Sequence, residues 1–329
     1  MIGLGNATAL VLPLSILLGL GVGAWVPHAR EPLGSLIDPL VLTLLALLFF
    51  EVRFTPLVRA TRHLRFLSLA WAANFIIIPI IGWGIASLFF SNSPALFTGL
   101  LLYLLFPCTD WFLGFTRLAR GDVALGSVLL PINLISQLLL FPIFLAVFVG
   151  ARAGTDLAGL WGTVAQWFLL PFIGAVLVRL LLSRLLPKTR FETLPRLAGS
   201  LVPWILGALV CCIFARHATA LTTHPEAFGL ILLAVFLFFI LTSLLSGVLA
   251  RRFHLDHPQH VLLAMTTAAR NAPLILGLAT IALPDQPLVY AALIIGMLVE
   301  FPHLTVLSRL LLRQEYKSSP SPGKPLTTT

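Results

Sequence analysis

The chain is poor in charge. Only 10% of its 329 residues are Asp, Glu, Lys or Arg, and the acidic ones number 12. A soluble domain of this length needs far more charge to cover its surface, which excludes a water-soluble enzyme or binding module. Cysteine is scarce as well: Cys108, Cys211 and Cys212 all lie inside apolar runs, a position that argues against a disulfide framework. There is no nucleophile–base arrangement, no cluster of metal ligands and no polar stretch long enough for a catalytic domain. The chain is therefore not read as an enzyme, and no cofactor or metal is expected. No basic segment precedes the first apolar run, so a cleavable signal peptide is not expected either.

Apolar residues make up 59% of the chain, and mean hydropathy is +1.02. Runs near the ~20 residues needed to cross a hydrocarbon core recur throughout. Ten spans fit, at 9–27, 34–52, 66–90, 94–118, 122–149, 157–183, 198–215, 226–249, 260–283 and 287–312. The expected fold is an all-α polytopic membrane protein with the lipid bilayer as its surroundings. All of the 21 lysines and arginines except Arg30, Arg152, Arg216 and Arg270 fall after even-numbered spans or at the C-terminal end. The positive-inside rule then places both termini in the cytoplasm, and the expected location is the cell (inner) membrane. The +9 net charge is a topology signal and does not imply a nucleic-acid partner.

Arg270 is the basic residue that no loop can hold. A charge at bilayer depth costs roughly 3 kcal/mol on insertion scales, so it needs a partner and commonly marks a site. Weak internal similarity supplies a candidate. Leu12-Pro13 matches Leu170-Pro171, and Phe141-Pro142 matches Phe301-Pro302, which sets Asp110 opposite Arg270. Five spans per half force the second half into the membrane upside down, the inverted-repeat design of secondary transporters. The halves run over 1–152 and 153–313, followed by a disordered cytoplasmic tail at 314–329. Two segments carry helix breakers at corresponding places, Phe106-Pro107-Cys108-Thr109-Asp110-Trp111 and Ala269-Arg270-Asn271-Ala272-Pro273. Proline frees backbone groups for a ligand there, although a simple kink is the structural alternative.

Pro107-Cys108-Thr109, the stretch from Leu118 to Leu125 and Leu298-Val299-Glu300-Phe301-Pro302 resemble the bile acid:sodium symporter superfamily. Within it, the Pro-Cys-Thr and the Glu-Phe-Pro look like those of the Acr-type arsenite efflux permeases. The resemblance implies ten spans in two inverted five-helix repeats. Spans 3–5 and 8–10 would form a core with discontinuous crossing helices 4 and 9, and spans 1, 2, 6 and 7 a panel. It also implies that Cys108 contacts a metalloid and that Glu300 couples transport to protons. Thiolates favour soft partners such as trivalent arsenic, and an intramembrane acid suits a group that gains and loses a proton each cycle.

The chain departs from that pattern at Asp110, Arg270 and Pro273, where the arsenite permeases have a small apolar residue, a nearby asparagine and a glutamate. An Asp110–Arg270 ion pair would keep the crossing neutral while making it more polar. Phe112 and Leu113 stand where sodium-coupled relatives place Ser and Asn, which favours protons over sodium. Asn133 and Gln137, at i and i+4, would add amides to the same cavity or else bond helix to helix. The expected substrate site is thus Cys108, Thr109, Asp110, Asn133, Gln137, Arg270 and Asn271, with Glu300 for protons. Three functions follow: an efflux carrier of arsenite or a related small solute or oxyanion, an organic-anion symporter of the same fold, and a membrane enzyme or sensor scaffold.

Overall fold

The computed structural model describes residues 2–51, 63–109, 111–149, 162, 170–219 and 225–318. Helices account for nearly all of them. α1 (Ile2–Trp25), α2 (Arg30–Gly34) and α3 (Ile37–Glu51) come first. Next are α4 (Leu64–Phe90), α5 (Pro94–Leu105), α6 (Trp111–Leu118) and α7 (Val123–Phe144). α8 (Leu170–Leu185), α9 (Lys188–Arg216) and α10 (Pro225–Phe253) follow. α11 (His257–Ala268), α12 (Ala272–Ala282) and α13 (Pro287–Ser318) complete the order.

Five of these helices are long and apolar enough to cross a membrane, among the described residues, and a sixth candidate is the bent pair Val11–Trp25 and Pro27–Gly34. In hydrocarbon every backbone N–H and C=O must be satisfied within the protein, which is why such runs are helical. α10 illustrates the consequence. Leu230, Leu233, Phe236, Ile240 and Leu244 form an exposed apolar stripe, while Ile231, Val235, Phe238 and Phe239 are buried on the other side. Both faces are greasy because one meets lipid and the other meets neighbouring helices.

The helices fall into two packed groups. α1, α2 and α8 gather around α9 and α3. α4, α5, α6, α7, α10, α11, α12 and α13 form the second group, which meets the first through α12 on α3 and through α13 on α1 and α9. Capping fixes two helix starts in the second group. Asp122 accepts a hydrogen bond from the Leu125 amide at 2.8 Å, and Asp256 one from the Gln259 amide at 2.9 Å, each satisfying an amide that the first turn leaves over.

Among the boundaries that differ from the sequence reading, two have a cause in the residues. α9 begins at Lys188, ten residues before the expected 198, because the charged turns after Pro187 continue the helix beyond its apolar part. α13 runs to Ser318, past the expected tail boundary, since Gln314, Glu315 and Lys317 are good helix formers and no breaker precedes Pro320. Residues 319–329 lie outside the described part.

Candidate functional site

The site starts from two interruptions. α5 stops at Leu105 and α6 begins at Trp111, while α11 stops at Ala268 and α12 begins at Ala272. The extended residues between them pair as a short antiparallel bridge, with Pro107 opposite Arg270. The Asn271 amide donates to Phe106 O at 2.9 Å, and the Cys108 amide donates to Ala269 O at 3.0 Å. Pro107 itself has no N–H to give, so it occupies the position where the ladder requires none.

Bridging diverts amides from their helices and so orphans carbonyls. In an unbroken helix, Leu104 O would accept from residue 108, Thr266 O from 270 and Thr267 O from 271. Those amides are spent elsewhere: Cys108 and Asn271 on the bridge, and Arg270 on Glu300 Oε1 at 3.1 Å. The Arg270 guanidinium takes all three abandoned carbonyls. Nη1 donates to Leu104 O at 3.1 Å, and Nη2 donates to Thr266 O at 2.9 Å and Thr267 O at 2.7 Å. Asn74 Oδ1 lies 3.4 Å from Nη2, and the Phe238 ring centroid is 5.5 Å from Cζ. Arg270 is fully buried, and its Nε has no hydrogen-bond partner. One side chain thus repairs the backbone that the crossing breaks, which accounts for a cation at this depth.

Two amide networks flank the guanidinium. Asn74 Nδ2 and Asn133 Nδ2 both donate to Thr266 Oγ1, at 3.1 and 3.2 Å. Asn271 Nδ2 donates to Thr109 Oγ1 at 3.0 Å and to Gln137 Oε1 at 3.1 Å. Asn133 Oδ1 and Gln137 Nε2 are buried without a hydrogen-bond partner. Each of these two amides therefore has one end committed to the network and one end to offer.

Glu300 is held from two sides. Besides accepting from the Arg270 amide, its Oε2 faces Tyr103 Oη at 3.5 Å, and that hydroxyl donates to Gly296 O at 3.0 Å. Glu300 also lines a cavity of about 90 Å³ between the two helix groups. Leu12, Pro203 and Leu206 wall the cavity from one side, with Trp111, Pro273 and Glu300 on the other. His303, one turn beyond, stacks flat on Phe239 at 3.8 Å, where the aromatic face fixes it.

The structure therefore gathers Thr109, Asn133, Gln137, Arg270, Asn271 and Glu300 around the crossing. Cys108 is fully buried beside them, in a cluster that also holds Phe112 and Ala269, and it is not among the described residues lining the cavity. Asp110 lies outside the described residues, and with it the expected Asp110–Arg270 pair. Sequence reasoning missed Asn74 and Tyr103. Their signal was present as a lone amide and a lone phenol inside apolar runs.

Broken apolar helices that meet at a buried polar centre, beside a cavity between two helix groups, define a multi-pass membrane carrier. Residues 39–223 match the Sodium Bile acid symporter family, and the chain belongs to that family. It is a secondary membrane transporter of the bile acid:sodium symporter superfamily. Over 327 residues, covering 92% of this chain and 88% of the relative, it is 21% identical to the arsenical-resistance protein Acr3 of Corynebacterium glutamicum. Over 272 residues, covering 81% of this chain and 85% of the relative, it is 25% identical to the uncharacterized protein YbaS of Bacillus subtilis.

Proposed function

We propose that this chain is a proton-coupled carrier that exports arsenite or a related small solute across the cell membrane. In this reading ten spans form two inverted five-helix repeats, 1–152 and 153–313, with both termini in the cytoplasm. Glu300 carries the proton, and Thr109, Asn133, Gln137 and Asn271 offer polar contacts as the solute passes the crossing. Cys108 supplies sulfur to a soft metalloid in the conformation that brings it to the cavity, and Asp110 and Arg270 balance charge.

The observation that carries the reading is the place of Glu300. Glu300 lines the cavity between the helix groups, and its carboxylate holds the Arg270 amide at the break of the ninth span, so in this reading protonation there acts on solute and crossing together. Size favours a small solute. About 90 Å³ falls well short of the ~300–1,000 Å³ that drug-sized ligands occupy, which counts against a bile-acid-like anion. Similarity to an arsenical-resistance protein over most of both chains supports the same substrate.

Everted membrane vesicles from cells lacking their own arsenite exporter test this directly. An imposed pH gradient should drive arsenite into wild-type vesicles. Glu300→Gln should abolish that accumulation while leaving arsenite exchange partly intact, and Cys108→Ala should reduce both. If Glu300→Gln still concentrates arsenite against its gradient, the proton is carried elsewhere, and Asp110 is the next residue to replace. Wild-type vesicles that ignore arsenite but accumulate an organic anion would establish the alternative symporter.

A further inference from the structure

The guanidinium of Arg270 sits in a cage of oxygens. Leu104 O, Thr266 O and Thr267 O are main-chain carbonyls from the C-terminal turns of α5 and α11, and Asn74 Oδ1 completes the set from α4. Helix C-termini concentrate negative partial charge, and two of them converge on this point. None of the four oxygens carries a formal charge. Uncharged carbonyl and amide oxygens are the ligands that hard cations accept in place of water. Asn74 belongs to the π turn Ala73–Ile77 of α4. Pro79 lacks the N–H that Phe75 O would otherwise receive, which gives the turn a cause in sequence.

We infer that Arg270 is a tethered cation: its guanidinium fills a cation site built from the carbonyl ends of the two broken helices, and the carrier works without binding sodium. The inference rests on the transporter reading above and deepens it, in a family named for sodium symport. A mobile ion in this cage would leave bare carbonyls behind each time it departed. A tethered guanidinium neutralises them in every state of the cycle, and arginine does not lose its proton in proteins. No alkali-ion gradient can then be drawn on through this site, and coupling passes to a group that can titrate.

Thermal unfolding of the purified protein in detergent, with sodium chloride exchanged for choline chloride at constant ionic strength, tests the inference without any substrate. Wild type should melt at the same temperature in both salts. Arg270→Ala should melt lower in choline and recover by about 5 °C in saturating sodium, as a ligand that binds the folded state selectively would produce. Adding Asn74→Ala to Arg270→Ala should erase the sodium response. Sodium-dependent stabilisation of the wild type, or indifference of Arg270→Ala to sodium, lithium and potassium alike, would overturn the tethered cation. Should Arg270→Ala fail to fold, wild type and Arg270→Lys still decide. The lysine variant keeps a cation, so it must fold and ignore sodium, and a sodium-dependent rise in either protein sinks the idea. Failure here leaves proton coupling at Glu300 standing, while a Glu300→Gln variant that still concentrates arsenite leaves the tethered cation standing.

Discussion

Asn271 does two jobs within one residue. Its backbone N–H closes the bridge to Phe106 O, and its side-chain amide joins Thr109 to Gln137. Asn271→Leu keeps the first job and removes the second, leaving the Thr109 hydroxyl and the Gln137 carboxamide buried and short of a partner. An expected loss on the order of 2 kcal/mol follows from orphaning such groups. Thr109→Val removes only one of the two contacts and should cost about half as much. Thermal unfolding of both variants measures the difference, and equal shifts would show that the Asn271–Gln137 contact contributes nothing. Asn271 and Arg270 were legible in the sequence because polar groups beside a proline in an apolar run are costly unless used. Asn74 and Tyr103 were not, since each stands alone, and only the fold reveals that Asn74 meets the guanidinium from another helix.

Helix limits were legible where a chemical breaker marks them. Both interruptions fall at the proline-bearing segments, and α5 and α13 begin at Pro94 and Pro287, where the missing N–H costs nothing. The close pairing of α5 with α13 leaves no comparable mark. It depends on Gly296, over which the Tyr103 ring lies so tightly that an added Cβ would come within 2.7 Å of ring carbons. That contact also aims the Tyr103 hydroxyl at Gly296 O and toward Glu300. Gly296→Ala should therefore destabilise the protein by roughly 1–3 kcal/mol, the usual cost of overpacking, and should impair transport by displacing Tyr103. Gly84→Ala in α4 is the matched control, since nothing lies within 4 Å of its added Cβ, and its melting temperature should stay near that of wild type. In a Tyr103→Leu background the penalty for Gly296→Ala should shrink. A penalty of unchanged size would mean that the strain lies elsewhere.

At the scale of the molecule, the loops sort themselves into two sets by contact. Arg65 Nη2 donates to Phe253 O at 3.2 Å, the Asp122 amide donates to Pro258 O at 3.1 Å, and Arg179 Nη1 donates to Phe50 O at 2.7 Å. These join the ends of the second, fourth, sixth and eighth expected spans. Arg216 meets Asp285 at 3.2 Å and packs against Gly34, which joins the turns after the first, seventh and ninth. Basic residues crowd the first set and are sparse in the second, so the prediction from the positive-inside rule is that the first set faces the cytoplasm. The charge pattern alone could propose this grouping but could not show which loops touch, because contacts between distant loops depend on how helices pack. A membrane-impermeant thiol reagent added to intact cells tests the orientation, with Cys211 and Cys212 replaced to lower the background. Glu31→Cys and Ser35→Cys, both at exposed positions, should label from outside. Arg65→Cys and Arg252→Cys, equally exposed, should label only after the membrane is opened. Ready labelling of Arg65→Cys in sealed cells would invert the orientation, and export from the cytoplasm would then have to be read as import through the same crossing.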